Sequence, residues 1–450
     1  MNPHYFNKIL KDVPNYTSFL TVKEIEALTV NFKQCPPVEE RIIGKTAENK
    51  PLKMYTMGNG EKTALIIGVP HSDEPLGSLV TTYFVDWMAK HPKVDFFGWK
   101  WLIIPVLEQR GMRMNEGWFS SWDSLVDTAK SYFREPTENQ YEWTFPFEYK
   151  NYKWVQPRPE SIAVKDVLKT EKPSLLCNLH HSGYYDTYFY LSKGLHEAYP
   201  RLRKLSNNLG LPLSTSTPDV PFGEILTSGF YQMYGLKDYI DYYTKHEPEN
   251  LLTMRRGASS DEWYSDAVGG FSFNCEVPLF ESSVKKDSKV SRSRFGVLLA
   301  RRRKKRAATI EYCINFLTKM EPFFSLSDPL LLGSVLKKVA TAKLELESAE
   351  ARIQAAGSRN ATNFEIFDND LMVDVTNLLL LGQLWRVTKT IQRNQRSSQM
   401  RNIASRIDGK ILALAKKINR RGGFVPIPLQ KLVKMQLGSI LIIADVLANE

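Results

Sequence analysis

Short apolar runs alternate with amphipathic stretches over roughly the first 320 residues of the chain. Each apolar run is of strand length and is bounded by glycine, proline or a polar loop. The runs occupy residues 64–69, 99–106, 174–179 and 270–279. Segments with helical spacing lie between or after them, at residues 76–88, 161–170 and 291–320. Strands that alternate with helices predict an α/β fold, with a mixed, mostly parallel central sheet flanked by helices.

The pattern changes after Ser325–Pro329. Beyond this point apolar residues recur at helical spacing, as in Leu331, Val335 and Val339, and no strand-like run remains. We therefore predict a catalytic domain over residues 1–325. Residues 326–450 are predicted to form a separate all-α domain of three to five helices, without a catalytic motif and of unknown role.

One stretch of the first domain, ALIIGVPHSDEPLGSL at residues 64–79, combines a strand, a polar loop and a helix. An open α/β sheet presents reactive groups in such loops, at the carboxyl ends of its strands. The loop carries His71 and Glu74, which are spaced to close on one metal ion. A single His-x-x-Glu is a weak signal, so the site depends on partners elsewhere in the chain.

Two later strand-like runs supply those partners. His180 and His181 follow the run at 174–179, and Glu276 lies within the run at 270–279. Two imidazoles and one carboxylate leave a fourth zinc position open, which is the pattern of a catalytic rather than a structural site. A further carboxylate that is not a ligand can then deprotonate water.

Composition and charge narrow the classes of function. The chain has no apolar run near the roughly 20 residues that span a bilayer, and its first residues are too polar for a secretory signal. We expect a soluble, cytoplasmic protein with no membrane association. The net charge of +11 is concentrated in residues 285–306, which hold eleven Lys or Arg residues against Asp287 alone. Because charge runs are usually solvated helix faces, nucleic acid is not expected as a partner.

Six stretches, in order along residues 40–320, resemble the carboxypeptidase A-like zinc metallocarboxypeptidases, in particular bacterial members. They read RIIGKTAENKPLKMYTMGNG, GVPHSDEPLGS, PVLEQRGMRMNEGWF, PRPESIAVKDVL, LLCNLHHSGYY and FSFNCEVP. The resemblance implies one Zn²⁺ per chain, held by His71, Glu74 and His180, with Glu276 as general base and acid. The helical domain would be an addition to that fold.

The resemblance also suggests residues that contact the substrate. Arg113 is the first choice for stabilising the oxyanion and Arg110 the second, while Asn115 would contact substrate and His181 would shape the pocket. The Asn-Arg pair that holds a terminal carboxylate in digestive relatives is missing between residues 120 and 160. Arg255 or its neighbour Arg256 is a candidate replacement, since arginine grips a carboxylate with two hydrogen bonds.

The sequence therefore predicts a zinc hydrolase that cleaves a peptide, a peptide-derived amide or an N-acyl amino acid. A deacylase of the aspartoacylase type is an alternative, because its zinc motif also begins with His-x-x-Glu. A second alternative is a non-catalytic zinc-binding scaffold that acts through its helical domain and basic run. Oligomerisation through the helical domain and the role of residues 285–306 stay open.

Overall fold

A computed structural model describes residues 2–32, 37–216, 220, 222–248, 250–251, 254–395 and 397–449. The chain divides into two compact units, and neither is continuous in sequence. The sheet unit comprises Met1–Arg113, Thr137–Leu279 and Ile427–Glu450, and the helical unit comprises Met114–Pro136 and Phe280–Pro426. The predicted boundary at 325/326 does not coincide with this division, because residues 427–450 group with the sheet.

The strands are short, as expected for runs bounded by turns. They are β1 (Val38–Lys45), β2 (Pro51–Met57), β3 (Lys62–Gly68), β4 (Trp99–Ile104), β5 (Phe147–Tyr149), β6 (Tyr152–Trp154), β7 (Leu175–Leu179), β8 (His181–Gly183), β9 (Tyr188–Leu191), β10 (Ile225–Thr227), β11 (Phe230–Gln232), β12 (Phe271–Pro278), β13 (Phe280–Glu281), β14 (Val290–Arg294), β15 (Asn360–Thr362) and β16 (Val425–Pro426).

The α-helices of the described residues are α1 (Pro3–Lys11), α2 (Val22–Phe32), α3 (Leu76–Lys90), α4 (Gln109–Asn115), α5 (Leu125–Ser131), α6 (Pro159–Glu171), α7 (Ala198–Leu209), α8 (Leu236–His246), α9 (Ser260–Ala267), α10 (Phe295–Met320), α11 (Pro329–Ala355), α12 (Asn363–Ile366), α13 (Val373–Asn394), α14 (Ser398–Gly422) and α15 (Leu429–Ala448). Short 3₁₀ segments occupy Pro92–Gly98, Glu116–Ser121, Thr137–Asn139, Tyr141–Trp143 and Glu321–Leu326, and Phe367–Met372 is π-helical.

The central sheet has the strand order β1-β2-β4-β3-β7-β12-β9-β11-β10, with β8 paired to β12. Its middle strands, β4, β3, β7 and β12, run parallel, and antiparallel pairs occur towards both edges. The predicted fold class is confirmed: a mixed, mostly parallel sheet flanked by helices. The carboxyl ends of β3, β7 and β12 consequently lie side by side, and these are the three strands that precede or carry the predicted site residues.

The C-terminal helix α15 belongs to the sheet unit because its apolar residues pack there. It contacts α1, α3, α7 and strand β12, and its buried residues include Leu437, Ile440 and Ile443. No described helix is both long and apolar enough to cross a membrane. The described cysteines, Cys177, Cys275 and Cys313, are buried and form no disulfide, and Cys35 lies outside the described residues.

Candidate metal centre

The loop that carries the first two candidate ligands is held tightly against the neighbouring strand. A side chain at Gly68, the last residue of β3, would place its Cβ 2.3 Å from the carbonyl oxygen of Pro105. Val69 follows with a positive φ of 54°, an unusual conformation for a β-branched residue. Backbone amides of Leu107 and Glu108 donate to the carbonyls of Gly68 and Val69, at 3.0 and 3.1 Å. The chain therefore leaves the sheet at a defined point before the loop.

His71, Glu74 and His180 converge after this turn, and all three are buried. Each offers one ligand atom, and these atoms lie within 4.8 Å of one another. The Nδ1 atom of His180 is 2.9 Å from Oε2 of Glu74, and the two imidazole rings are 5.0 Å apart between centroids. The structure thus brings together the three residues that the sequence nominates as metal ligands.

Glu276 lies beside His180 on the adjacent strand. Val277 of β12 pairs with His181 of β8, so the residues immediately before them are also neighbours. On its other side Glu276 pairs with Tyr188 of β9, and it is half-buried rather than enclosed. Neighbouring residues in register point to the same face of a sheet. A carboxylate that is not among the three ligands therefore borders the site.

Carboxylates dominate the electrostatics around His180. Burial disfavours the charged imidazole, but the charge and hydrogen bond of Glu74 oppose this. Together with Glu276 and Glu142 they raise the pKa of His180 to about 10. The surplus of negative charge favours any cation placed among these side chains.

The donor set fits zinc rather than a hard cation. Two imidazole nitrogens and one carboxylate oxygen match the three protein ligands of a catalytic zinc site, whereas calcium and magnesium prefer oxygen ligands alone. These three residues could therefore hold a metal ion, and their donor atoms fit zinc better than calcium or magnesium.

A buried polar network that the sequence does not reveal lies beneath the ligands. Glu142 is 1% exposed and accepts a hydrogen bond from Ser260 at 3.0 Å. Asn178, two residues before His180, donates to Ser260 at 3.0 Å and to Asp261 at 3.2 Å. Asp261 also accepts from Asn274, two residues before Glu276, at 3.2 Å. The network therefore ties the strands that carry His180 and Glu276 to helix α9.

Glu142 has the most strongly shifted pKa among the acids of this network. Burial, followed by the negative charge of Asp261, raises the pKa of Glu142 to about 8. The sequence signal for this residue is weak, since it stands in an aromatic-rich stretch, YEWTF, with no obvious periodicity.

The C-terminal helix supplies a second support. Gln436 of α15 is fully buried, and its Nε2 donates to the carbonyl oxygen of His180 and, at 3.1 Å, to that of Cys275. One side chain thus bridges the ends of the strands that carry a candidate ligand and the candidate base. The sequence does not reveal this contact, since the pattern of residues 326–450 predicts that the last helix belongs to the other domain.

The predicted oxyanion residues are engaged elsewhere. Arg113 forms an ion pair with Glu48, and Arg110 approaches the same carboxylate at 3.2 Å. Both arginines stand on helix α4, and Glu48 lies in the turn between β1 and β2. A role for either arginine at the oxyanion stays a prediction.

Asn115 falls in the helical unit and is fully buried. Its Nδ2 donates to the carbonyl of Phe133 at 2.8 Å, while its Oδ1 accepts from Trp118 and from the Phe133 amide at 3.0 and 2.9 Å. These bonds give Asn115 a structural role in joining two segments of its own unit. The expectation that Asn115 contacts substrate stays a prediction.

His181, Arg255 and Arg256 make three different kinds of contact. His181 lies against the metal-binding loop, with Nε2 3.1 Å from the carbonyl oxygen of Asp73. Arg255 is exposed and its guanidinium donates to the carbonyl of Met254 at 3.0 Å. Its neighbour Arg256 instead stacks on Trp143, with 4.0 Å between Cζ and the ring centroid.

Trp143 links Arg256 to the candidate ligands. The ring of Trp143 stacks on that of His71 at 5.9 Å between centroids, and Arg256 also lies 5.0 Å from the ring of Tyr239. A guanidinium held between two aromatic faces keeps a fixed orientation. Of the two arginines that the sequence offers, Arg256 is therefore the one that the structure connects to the site.

Comparison with known proteins gives only structural likenesses. No protein-family model matches the chain, and no characterised protein matches it significantly in sequence. Carboxypeptidase A from Helicoverpa armigera is similar with 14% identity, a TM-score of 0.39, and coverage of 63% of this chain and 73% of that one. A metallo-carboxypeptidase from Burkholderia cenocepacia has 15% identity, a TM-score of 0.36, and coverage of 58% and 60%.

Bovine thrombin-activatable fibrinolysis inhibitor is similar over 58% of this chain and 87% of its own, with 14% identity and a TM-score of 0.34. Two of these three proteins are carboxypeptidases by name. At these identities and TM-scores the likeness carries no conclusion about what this chain binds or cleaves.

Proposed function

We propose that this chain is a zinc-dependent hydrolase that cleaves a peptide or amide bond, with Glu276 as the general base. One observation carries the proposal. The ligand atoms of His71, Glu74 and His180 lie within 4.8 Å of one another, and Glu276 stands next to His180 on the adjacent strand. Two imidazoles, a ligand carboxylate and a separate carboxylate base are the set that this chemistry requires.

Each residue has a role that follows from its position. His71, Glu74 and His180 would hold the ion, which when bound supplies a Lewis acid and makes water a nucleophile at neutral pH. Glu276 would take the proton from the attacking water and return it to the leaving amine. Proton transfer by a positioned group contributes about 10²–10⁴-fold to the rate. Asn178, Asp261 and Gln436 would hold the strands that carry these groups.

The position of Arg256 favours a substrate that carries a negative charge. Its guanidinium is clamped on Trp143, which in turn stacks on the candidate ligand His71. A carboxylate on the substrate could pair with it bidentately. Both a peptide with a free C-terminus and an N-acyl amino acid carry such a group, so the two substrate classes share this requirement.

The first experiment is metal analysis of the purified protein. We expect about one zinc per chain, lost in His71→Ala but kept in His246→Ala, which removes an exposed histidine. Absence of zinc from the wild type, together with failure to take it up from a micromolar solution, would refute the metal site.

The second experiment tests the base on a panel of C-terminal peptides and N-acyl amino acids. Glu276→Gln should keep zinc and lower kcat by about 10²–10⁴-fold, whereas Glu224→Gln, an exposed glutamate of the same unit, should be neutral. An unchanged rate in Glu276→Gln would remove this residue from the mechanism. Arg256→Gln should raise KM for carboxylate-bearing substrates and leave their neutral amides unaffected.

The same panel separates the alternatives. Preference for N-acyl amino acids over peptides would indicate the aspartoacylase-like deacylase. Zinc content without turnover of any substrate, and with no difference between wild type and Glu276→Gln, would favour the non-catalytic scaffold.

A further inference from the structure

The net positive charge of the protein comes from one of its two units. The helical unit contains 30 Lys and Arg residues against 17 Asp and Glu, a net charge of +13, whereas the sheet unit contains 30 against 32. The net charge of +11 therefore does not describe the unit that carries the candidate metal centre. The helical unit is strongly basic, whereas the sheet unit is nearly neutral.

Two helices of this unit, α10 and α14, contact each other through side chains and both pack against α13. The hydroxyl of Tyr312 on α10 donates to the carbonyl of Arg406 on α14 at 3.1 Å, and Lys410 lies over the Tyr312 ring at 4.3 Å. Nearer the other end, Lys305 of α10 and Lys417 of α14 both pair with Asp374. The two helices thus run antiparallel on either side of helix α13.

Basic residues line the seam between these helices. Arg406, Lys410, Lys417 and Arg421 are spaced by four, seven and four residues, so they fall on one face of α14. They cover about 22 Å of its length at 1.5 Å per residue. Arg301 and Lys305 occupy the facing part of α10. We call these six residues the cationic groove.

Buried acids fix part of the groove from below. Asp374 is 2% exposed and binds Lys305 at 3.0 Å, Lys417 at 2.9 Å and Arg421 at 3.1 Å. Asp370 also pairs with Lys305 and Arg421. Burial opposes ionisation of Asp370, but the hydrogen bonds and charges of these two cations hold its pKa below the ordinary value. The basic side chains are therefore oriented before any partner arrives.

A pocket opens at the centre of the groove. It has a volume of about 300 Å³, and Lys305, Asn377, Lys410 and Lys417 are among the residues that line it. The buried Asp374 also lines the pocket, whereas Lys410 is exposed and Lys417 retains 48% of its side-chain exposure. A ligand that enters from outside meets the cations first.

We infer that the cationic groove binds the phosphodiester backbone of nucleic acid, without reading its sequence. A row of cations over about 22 Å, part of it held in place by Asp370 and Asp374, matches roughly six phosphates of one duplex strand at 3.4 Å per phosphate. Two aromatic rings of α10 lie under groove cations: Tyr312 is covered by Lys410, and the buried Phe316 by Arg406, so neither offers a platform for stacking a base. An anionic membrane is disfavoured because Leu412 stands alone as a large exposed apolar side chain on the described part of α14.

This inference is independent of the proposed hydrolysis, and its test uses the full chain. Fluorescence anisotropy with labelled 20-mers of mixed-sequence RNA and DNA, single-stranded and duplex, would measure affinity between 50 and 300 mM salt. Arg406→Gln/Lys410→Gln removes two groove charges and leaves the pairs with Asp374 intact. Lys204→Gln/Lys245→Gln removes the same charge from exposed lysines of the sheet unit.

The expected result is a groove-specific loss. The groove variant should bind about tenfold more weakly at 100 mM salt, with the log K against log[salt] slope reduced by about 1.8, since each phosphate contact contributes about 0.9. The matched control should change affinity by less than about threefold, and circular dichroism should show both variants folded.

Three outcomes would overturn the inference. Equal losses in both variants would mean that net charge alone attracts nucleic acid. Failure of the wild type to bind any of the 20-mers at 100 mM salt would exclude this partner. Binding of phosphatidylserine vesicles or polyglutamate at lower concentrations than the nucleic acids would assign the groove to a membrane or an acidic protein.

Discussion

Gln436 provides the sharpest test of how the metal centre is held. The variant Gln436→Met removes both hydrogen bonds to the carbonyls of His180 and Cys275 and leaves the side-chain volume nearly unchanged. Leaving a buried carbonyl without its donor costs about 1–3 kcal/mol. Part of that cost is offset, since the Oε1 atom of Gln436 is itself buried and has no hydrogen-bond partner among the described residues. We expect a net loss of about 2 kcal/mol in the free energy of unfolding.

Gln436→Met should also weaken the binding of zinc. The two carbonyls belong to a candidate zinc ligand and to the residue before Glu276, so loss of the bridge loosens both strand ends. Residues that support metal ligands typically contribute 10–100-fold to metal affinity. We expect zinc affinity, measured by competition with a chromogenic chelator, to fall roughly tenfold. Urea unfolding in the presence of EDTA would give the change in stability of the metal-free protein separately.

Gln430 of the same helix provides the control. Its Nε2 donates to the carbonyl of Val13 at 2.6 Å, away from the ligands, so Gln430→Met also removes a side chain-to-backbone hydrogen bond. It should lower stability by about 1 kcal/mol without changing zinc affinity. Equal zinc affinity in Gln436→Met and Gln430→Met would show that the C-terminal helix supports the fold but not the metal centre.

Three further predictions concern the framework. Asp370→Asn should cost about 2 kcal/mol at pH 7. Because the folded pKa of Asp370 lies below its ordinary value, that contribution is present above the ordinary value and disappears as pH falls through the folded one. Urea unfolding at stepped pH should therefore show the variant losing less stability in acid than the wild type. Gly68→Ala should cost about 3 kcal/mol in urea unfolding, since its Cβ would meet the carbonyl of Pro105. Gly333→Ala, with open space around it inside helix α11, should instead raise stability by roughly 0.5–1 kcal/mol. Deletion of residues 427–450 should yield protein without a cooperative thermal transition, because this segment contributes a helix to the core of the sheet unit; a soluble, cooperatively unfolding truncation would contradict that assignment.

The local part of the site could be predicted from sequence because its signals are local. The run before His71 is short, apolar and bounded by Gly68 and Pro70, which is enough to indicate a buried strand ending in a loop. His180 follows a second such run and Glu276 lies in a third. Parallel strands in one sheet bring their carboxyl ends to one edge, so the convergence of these groups follows from the fold class.

The remaining parts depend on contacts between distant segments. Gln436 is a polar residue inside an apolar helical stretch, which signals burial, but its acceptors lie on strands far away in sequence. Arg113 has the residue type for an oxyanion contact, and only the fold shows that Glu48 binds it. Arg255 and Arg256 are adjacent in sequence, and only the fold shows that Arg256 is the one over Trp143.

The domain boundary illustrates the same limit on a larger scale. Periodicity changes near residue 325 because strands give way to helices, but that change marks no division between the compact units. The helical unit includes an insertion, residues 280–426, whose ends meet: β13 pairs with β16, and the amide of Ile427 donates to the carbonyl of Leu279 at 3.0 Å. The chain therefore leaves the sheet unit just after the strand that carries Glu276 and returns just before the helix that carries Gln436. Residues on both sides of the insertion hold the metal centre, whereas the cationic groove lies wholly within it. Charge in the insertion can consequently change without altering any residue that supports the metal, and a cut at residue 325 would separate the metal centre from its own support.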